Sequence, residues 1–279
     1  VILNAVLILG GVGLVFGVFI AIANKRLWVW EDPRIDIVVQ MLPNANCGAC
    51  GLPGCRAFAE QAVEGKVTPA QCTVSGDAAR GQIADFLGVD AGDAAKNVAR
   101  LLCAGGSDVA SYQAEYRGLL TCEAAAAVAG GGKGCAWGCL GLADCERVCD
   151  FDAIHMSETG LPVVDIEKCT ACGDCVEACP KALFELRPVS AGLLVQCRNL
   201  IGGDDVLEQC KVACTACGKC VQDAAEGLIS VNSGVAVVNY DNIALADPRA
   251  VERCPTGAIV WLTGAQFGRV LAISGSDSQ

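Results

Sequence analysis

The sequence predicts an α+β protein in which one N-terminal transmembrane helix carries a string of small cysteine-wrapped modules. Three observations predict it. Residues 1–23, VILNAVLILGGVGLVFGVFIAIA, carry no charge and one polar side chain, Asn4. The 279 residues include 20 cysteines and a single histidine. Those cysteines recur at short, regular spacings, and Val-Val strand patterns stand between them. Hydrophobic residues make up 53% of the chain and aromatics only 5%, which suits small wrapped units better than one large aromatic core. The formal charge of −11 argues against nucleic acid as a partner, because that requires a basic footprint. Attraction to an acidic partner or to anionic lipid would have to come from local basic patches.

The N-terminal run settles the expected compartment. At 1.5 Å per residue, 23 helical residues span roughly 34 Å, enough for a bilayer core. Asn24, Lys25 and Arg26 follow at once, then Trp28 and Trp30. Basic residues beside a span favour the cytoplasmic side, and tryptophan favours the interface. A cleavable signal peptide has a shorter apolar region, positive charges before it and a small-residue cleavage site after it, and none of these is present. A single-pass anchor in the cytoplasmic (inner) membrane, with the bulk of the chain in the cytoplasm, is therefore expected. Reducing conditions there weigh against structural disulfides and in favour of metal centres.

The remaining elements follow in order. Residues 24–40 read as a polar juxtamembrane linker, and 41–90 as a first four-cysteine module. NCGACGLPGC supplies Cys47, Cys50 and Cys55, and Cys72 follows at PAQC. Three close cysteines and one distant one make a [4Fe–4S] set, although structural zinc also takes four cysteines. Glycines between them let backbone amides approach the sulfurs. Residues 91–134 read as a strand and helix segment packing with 186–212. Within it, NVARLLCAGG (97–106) has the pattern of a buried strand ending at Cys103. TCEAAAAVAGG (121–131) has that of a short helix capped by Thr121 and stopped by glycine. AGLLVQC (191–197) is a second strand ending in cysteine.

Residues 135–185 carry the most specific signal. Cys169, Cys172, Cys175 and Cys179 before Pro180 match C-x2-C-x2-C-x3-C-P, the ferredoxin run in which three thiolates seize one cubane and the fourth ligates its neighbour. Zinc requires no third close cysteine in that order. A looser partner lies upstream at Cys135, Cys139, Cys145 and Cys149, with Asp150 in place of proline. The crossing rule then groups Cys135, Cys139, Cys145 and Cys179 around one cluster, and Cys149, Cys169, Cys172 and Cys175 around another. This predicts a 2[4Fe–4S] ferredoxin-like domain.

Residues 213–263 repeat the pattern in degenerate form. Cys214, Cys217 and Cys220 keep the spacing, but Ala224 stands at the fourth place. Downstream, Ala244, Asp247 and Ala250 replace three cysteines, and Cys254-Pro255 survives. Under the crossing rule the four missing cysteines belong to one cluster, so Cys254 joins Cys214, Cys217 and Cys220 around the other. Residues 264–279 form a tail, and SGSDSQ at its end has a disordered composition.

Four cysteines remain: Cys103, Cys122, Cys197 and Cys210. They match no motif. They are either buried small hydrophobes or a candidate fifth cluster. GGGKG (130–134) is a poor P-loop, with Gly134 where Ser or Thr belongs and Ala127 where the first Gly belongs, and reads as a turn beside Cys135. His155 reads as a packed or surface residue. No flavin or nicotinamide fingerprint is present.

The anchor, then LPNANCGACGLPGC, GGGKGCAWGCLGLADCERVCDFDAI and EKCTACGDCVEACPKAL in that order, closely resembles the B subunits of Rnf complexes, called Rsx in some bacteria. CGACGLPGC alone also resembles a domain of corrinoid iron–sulfur proteins, which lack this anchor. The resemblance implies a subunit of an ion-translocating ferredoxin:NAD oxidoreductase. It would accept electrons from soluble reduced ferredoxin and relay them to flavin-bearing and membrane-spanning partner subunits. The cysteine sets themselves make four [4Fe–4S] clusters, with the fifth as a candidate, and the chain is expected to have no substrate-converting site of its own. Asp150 and the truncated second ferredoxin depart from the pattern and bear on cluster number and potentials. Two rival readings are an Rsx-type electron donor to an iron–sulfur transcription factor and a non-redox scaffold whose clusters only hold the fold.

Overall fold

The computed structural model describes residues 2–27, 31–93 and 95–267. Trp28, Trp30 and the SGSDSQ tail lie outside the described residues. Helix α1 (Ile2–Leu27) ends in Lys25 and Arg26. Its window Leu9–Arg26 has a mean hydropathy of 1.4 and buries none of its residues, and among the described residues it is the one helix long and apolar enough to cross a membrane. Leu14, Phe16, Phe19 and Ile20 all stand exposed on it. A soluble core helix would bury one face.

The polar linker expected over 24–40 is instead partly helical. Helix α2 (Pro33–Met41) starts where Asp32 caps it, accepting a hydrogen bond from the Arg34 backbone N–H at 2.9 Å, with proline at the first helical position. Its Val38 is buried with Leu42, Phe58, Ala59, Ala62 and Ile83, which puts α2 into the core of the first cysteine module. Helices α3 (Cys55–Val63) and α4 (Asp77–Leu87) complete that module. The Asp32-Pro33 pair lies inside that expected linker and here starts the helix.

The rest of the chain is built from two-stranded antiparallel ribbons and short helices. Strand β1 (Asn97–Leu101) is followed by α5 (Cys122–Ala127), capped by the Thr121 hydroxyl, which accepts from the Ala124 N–H. Next come α6 (Asp144–Arg147), β2 (Ile154–Met156), β3 (Pro162–Val164), α7 (Asp174–Glu177) and β4 (Phe184–Pro188). The C-terminal part holds β5 (Leu193–Val195), α8 (Val206–Gln209), α9 (Lys219–Asp223), β6 (Ile229–Asn232), β7 (Val235–Val238), α10 (Arg249–Glu252) and β8 (Ile259–Trp261).

The pairings β1–β4 and β5–β8 bridge long stretches of chain, whereas β2–β3 and β6–β7 are local hairpins. The long pairings bring strand ends together: Cys103 follows β1 and Cys197 follows β5, and Ala104 N–H donates to Gln196 O at 3.0 Å. The start of the expected tail also packs. Gln266 pairs its side-chain amide with both backbone groups of Leu101, and Arg100 donates to Gly264 O at 2.8 Å. His155 sits on β2, partly exposed near Glu146 and Asp152.

Candidate iron–sulfur sites

All 20 cysteines are free thiols, and most gather around small cavities. In the N-terminal module, Cys47, Cys50, Cys55 and Cys72 line one cavity of about 340 Å³ backed by Leu42 and Phe58. The loop is held by Asn46, whose side-chain oxygen accepts from the Cys55 N–H at 2.9 Å. Cys55 thus opens helix α3. Buried Ser75 donates to Cys72 Sγ at 3.1 Å.

The two C-x2-C-x2-C loops fold alike. TACGDC turns through left-handed backbone at Ala171 (φ 57°) and Gly173 (φ 99°), and TACGKC does so at Ala216 (φ 56°) and Gly218 (φ 73°). An alanine held there is strained, and both loops accept that cost where three thiols must face one point. Cys169, Cys172 and Cys175 line a cavity of about 320 Å³ together with Cys149 from the preceding loop. Cys214, Cys217 and Cys220 line one of about 380 Å³ together with Cys254. Burial pushes Cys175 up to about 12, and the nearby charges of Cys169, Cys172 and Cys149 add to the rise. Burial likewise pushes Cys220 up to about 11, helped by Cys214, Cys254 and Cys217. Cys254 behaves oppositely. Its burial is outweighed by hydrogen bonds from the Ile259, Thr256 and Ala258 backbone and the Thr256 hydroxyl, which hold its thiol below the ordinary value.

A further cavity, of about 350 Å³, is lined by Cys103, Cys135, Cys197 and Cys210. It differs from the spacing-based grouping in one exchange: Cys135 stands with the three strand-end and helix-end cysteines, and Cys122 does not. The physical reason is the Lys133–Cys135 segment. Gly134 N–H donates to Ser111 O, Lys133 forms a bridge with Tyr112, and Ala110 forms one with Cys210, so Cys135 is drawn towards α8. Cys122 instead opens α5 beside α6, where Glu123 N–H donates to the Asp144 carboxylate at 3.1 Å. Burial pushes Cys139 up to about 12, with the nearby charges of Cys103 and Cys122 contributing. Burial also raises Cys145, with Cys139, Cys122, Cys175 and Cys179 among the contributing charges. Cys122 thus opens a helix whose first turn is tied to α6, the helix that carries Cys145.

Among the described residues, no three His, Cys, Asp or Glu side chains are arranged to hold a single metal ion. Four thiols spread around a void suit a cubane, which supplies its own irons and sulfides between them, better than zinc, whose four ligands converge at about 2.3 Å. Amides also point at the sulfurs: Ala99 N–H at Cys169 (3.5 Å), Ala153 N–H at Cys149 (3.4 Å) and Leu183 N–H at Cys179 (3.4 Å). Such donors set cluster potential. The donor sets thus fit [4Fe–4S] clusters.

Comparison with known proteins agrees with this chemistry. A family described as "Putative Fe-S cluster" matches residues 42–74, and one described as "4Fe-4S binding domain" matches 161–184. The B subunit of the Na(+)-translocating ferredoxin:NAD(+) oxidoreductase complex of Acetobacterium woodii is 45% identical over 261 residues, covering 92% of this chain and 78% of that protein. The B subunit of the proton-translocating ferredoxin:NAD(+) oxidoreductase complex of Clostridium ljungdahlii is 36% identical, covering 89% and 88%. The B subunit of the ion-translocating oxidoreductase complex of Methanosarcina acetivorans is 36% identical, covering 93% and 98%. The chain belongs to this family of Rnf B subunits. Its cysteine triplets were legible from local spacing. Lys133, Asn199 and Gly105, which surround the cavity of Cys103 and Cys135, were not. The one signal for them was that two predicted strands each end in a cysteine.

Proposed function

We propose that the chain is the membrane-anchored electron relay of an Rnf-type ion-translocating ferredoxin:NAD oxidoreductase complex, accepting electrons from reduced ferredoxin and passing them to partner subunits. The observation that carries the reading is the set of cavities each lined by four thiols, most often three close in sequence and one from a distant segment. The clusters, when bound, each take or give one electron, and the chain's own residues do the rest. Cys47, Cys50, Cys55 and Cys72 hold one cluster; Cys149, Cys169, Cys172 and Cys175 a second; Cys214, Cys217, Cys220 and Cys254 a third. Cys139, Cys145 and Cys179 contribute to another. Amide and hydroxyl donors tune their potentials, and apolar walls exclude water. Helix α1 serves as the anchor in this reading, and the basic pair Lys25 and Arg26 at its end supports a cytoplasmic position for the modules.

The experiment is rapid mixing of anaerobically purified, cluster-loaded protein with reduced ferredoxin. Fast oxidation of ferredoxin that disappears when the clusters are removed supports the relay. Loaded protein that accepts no electrons from any ferredoxin would refute it. The net charge of −11 adds a signature. Docking to an acidic ferredoxin uses a local basic or apolar patch, so salt weakens it only modestly or assists it by screening.

A further inference from the structure

We infer that Cys103, Cys135, Cys197 and Cys210 bind a [4Fe–4S] cluster of their own, that Cys122 completes the set of Cys139, Cys145 and Cys179, and that this additional cluster joins the two ferredoxin-like units into one conductor. The inference rests on the electron-relay reading above and adds a site and a route to it.

The cavity is built for a charged group. Cys103, Cys135 and Cys210 are buried, and Cys197 nearly so. Three donors address the sulfurs: Gly105 N–H and Cys139 N–H reach Cys103 Sγ at 3.4 Å, and the Asn199 side-chain amide reaches Cys135 Sγ at 3.4 Å. Asn199 is 1% exposed. Its amide also donates to Gln209, and its oxygen accepts from Ile201 N–H, so a fully buried polar side chain is fixed with one donor on a thiol. Lys133 is 6% exposed, and its ammonium donates to Gly105 O at 2.5 Å and Cys139 O at 2.6 Å. It ties together the loops that carry Cys103 and Cys139 and places a positive charge beside a site that is anionic when loaded. Gly105 fills the remaining gap with backbone alone. A Cβ there would stand 3.1 Å from Cys210 Sγ and 3.6 Å from Cys103 Sγ.

Plain packing explains none of this. Apolar thiols in a core pack singly among hydrocarbon, whereas these four come from separate segments and line one site. They also sit among a buried ammonium and a buried amide, groups that are costly to bury without a task. The exchange with Cys122 leaves no thiol over: 20 cysteines make five sets of four.

The position of the cavity gives it a role. The Cys139 N–H that addresses Cys103 belongs to the ferredoxin-like domain. On the far side, Cys197 packs against the same buried core as Cys214, Cys220 and Cys254. Cys145 in turn shares one buried core with Cys175 and Cys103, and Cys139, Cys149 and Cys179 pack against it. The thiol sets therefore follow one another: Cys149/Cys169/Cys172/Cys175, then Cys122/Cys139/Cys145/Cys179, then Cys103/Cys135/Cys197/Cys210, then Cys214/Cys217/Cys220/Cys254. The third set is the link without which the C-terminal cluster would be isolated from the ferredoxin pair.

The test is iron content of anaerobically reconstituted protein, by native mass spectrometry, in single and double serine variants. Wild type should hold about 20 irons, four per cubane. Cys197→Ser and Cys135→Ser should each lose about four, and the double variant Cys135→Ser/Cys197→Ser should still lose only about four, because both remove one cluster. Cys122→Ser/Cys197→Ser should lose about eight. The reverse pattern, with four lost by the pair at 122 and 197 and eight by the pair at 135 and 197, would overturn the grouping. A wild-type plateau at about 16 irons would overturn the additional cluster, and this measurement needs no variant to fold. Iron counts do not depend on electron transfer, so a protein holding 20 irons that ignores ferredoxin would refute the relay and leave the site standing.

Discussion

Lys133→Met removes one buried charge and keeps most of the side-chain volume, so its consequences can be worked from the structure. The ammonium makes two short hydrogen bonds to carbonyls, to Gly105 O and Cys139 O. Hydrogen bonds from charged donors contribute about 1.5–3 kcal/mol each, so losing both should cost about 3–6 kcal/mol of stability. The redox effect has a definite sign. Reduction adds a negative charge to the cluster, and a nearby cation stabilises that charge. One unit charge at roughly 7 Å in an effective dielectric of about 20 is worth about 2 kcal/mol. For a one-electron couple that is a fall of about 100 mV when the charge is removed. The assay is a potentiometric titration followed by electron paramagnetic resonance, in the cold to keep the variant folded. One cluster, the one lost in Cys197→Ser, should move to lower potential by about that amount while the others stay. If no cluster shifts although the variant is destabilised, Lys133 only ties loops together, and the charge argument for this cavity is wrong.

Three further outcomes follow from the same geometry. Cys254→Ala should remove or alter the signal of the cluster at Cys214, Cys217 and Cys220, while the set at Cys149, Cys169, Cys172 and Cys175 keeps its spectrum; an unchanged spectrum would make Cys254 a relic. In cluster-free protein, alkylation followed by mass spectrometry should give Cys254 a lower pH midpoint than Cys220. Alkylation needs thiolate, backbone donors hold Cys254 below the ordinary thiol value, and burial pushes Cys220 up to about 11, so Cys220 stays protonated until the pH rises well past the point at which Cys254 reacts. A reporter active only in the periplasm, fused after Gln279, should be silent; an active fusion would put the modules on the opposite face.

How much of this was legible in the sequence depends on the distance between ligands along the chain. A C-x2-C-x2-C triplet is a single loop whose shape its own residues set, down to the left-handed alanines Ala171 and Ala216, so spacing alone locates it. The short segment TCEAAAA announces its helix through the Thr121 cap. The exchange between Cys135 and Cys122 could not be read that way. Four nearby cysteines at 135, 139, 145 and 149 look like one motif, but Cys135 is carried off by pairings at Ala110–Cys210 and Tyr112–Lys133, each of which depends on where distant strands meet. Cys103 and Cys197 come together because β1 pairs with β4 and β5 with β8, and nothing near either cysteine encodes that pairing. Lys133 misled for a related reason. In GGGKG it resembles a surface turn, and only the fold reveals that it is buried against two carbonyls. Asp32-Pro33 shows the converse: it lies in a stretch whose polarity reads as linker, yet its cap and proline start a helix.

The central claim is that this chain is a conductor made of several clusters in electronic contact. Its most direct test is the number of electrons one chain takes up, measured by anaerobic reductive titration of the loaded protein with simultaneous electron paramagnetic resonance. A chain with all its sites filled should take up about five one-electron equivalents, with signals broadened by magnetic interaction between neighbouring clusters as reduction proceeds. Uptake of one electron or none by a chain carrying its full iron, or sharp signals that never interact, would contradict it.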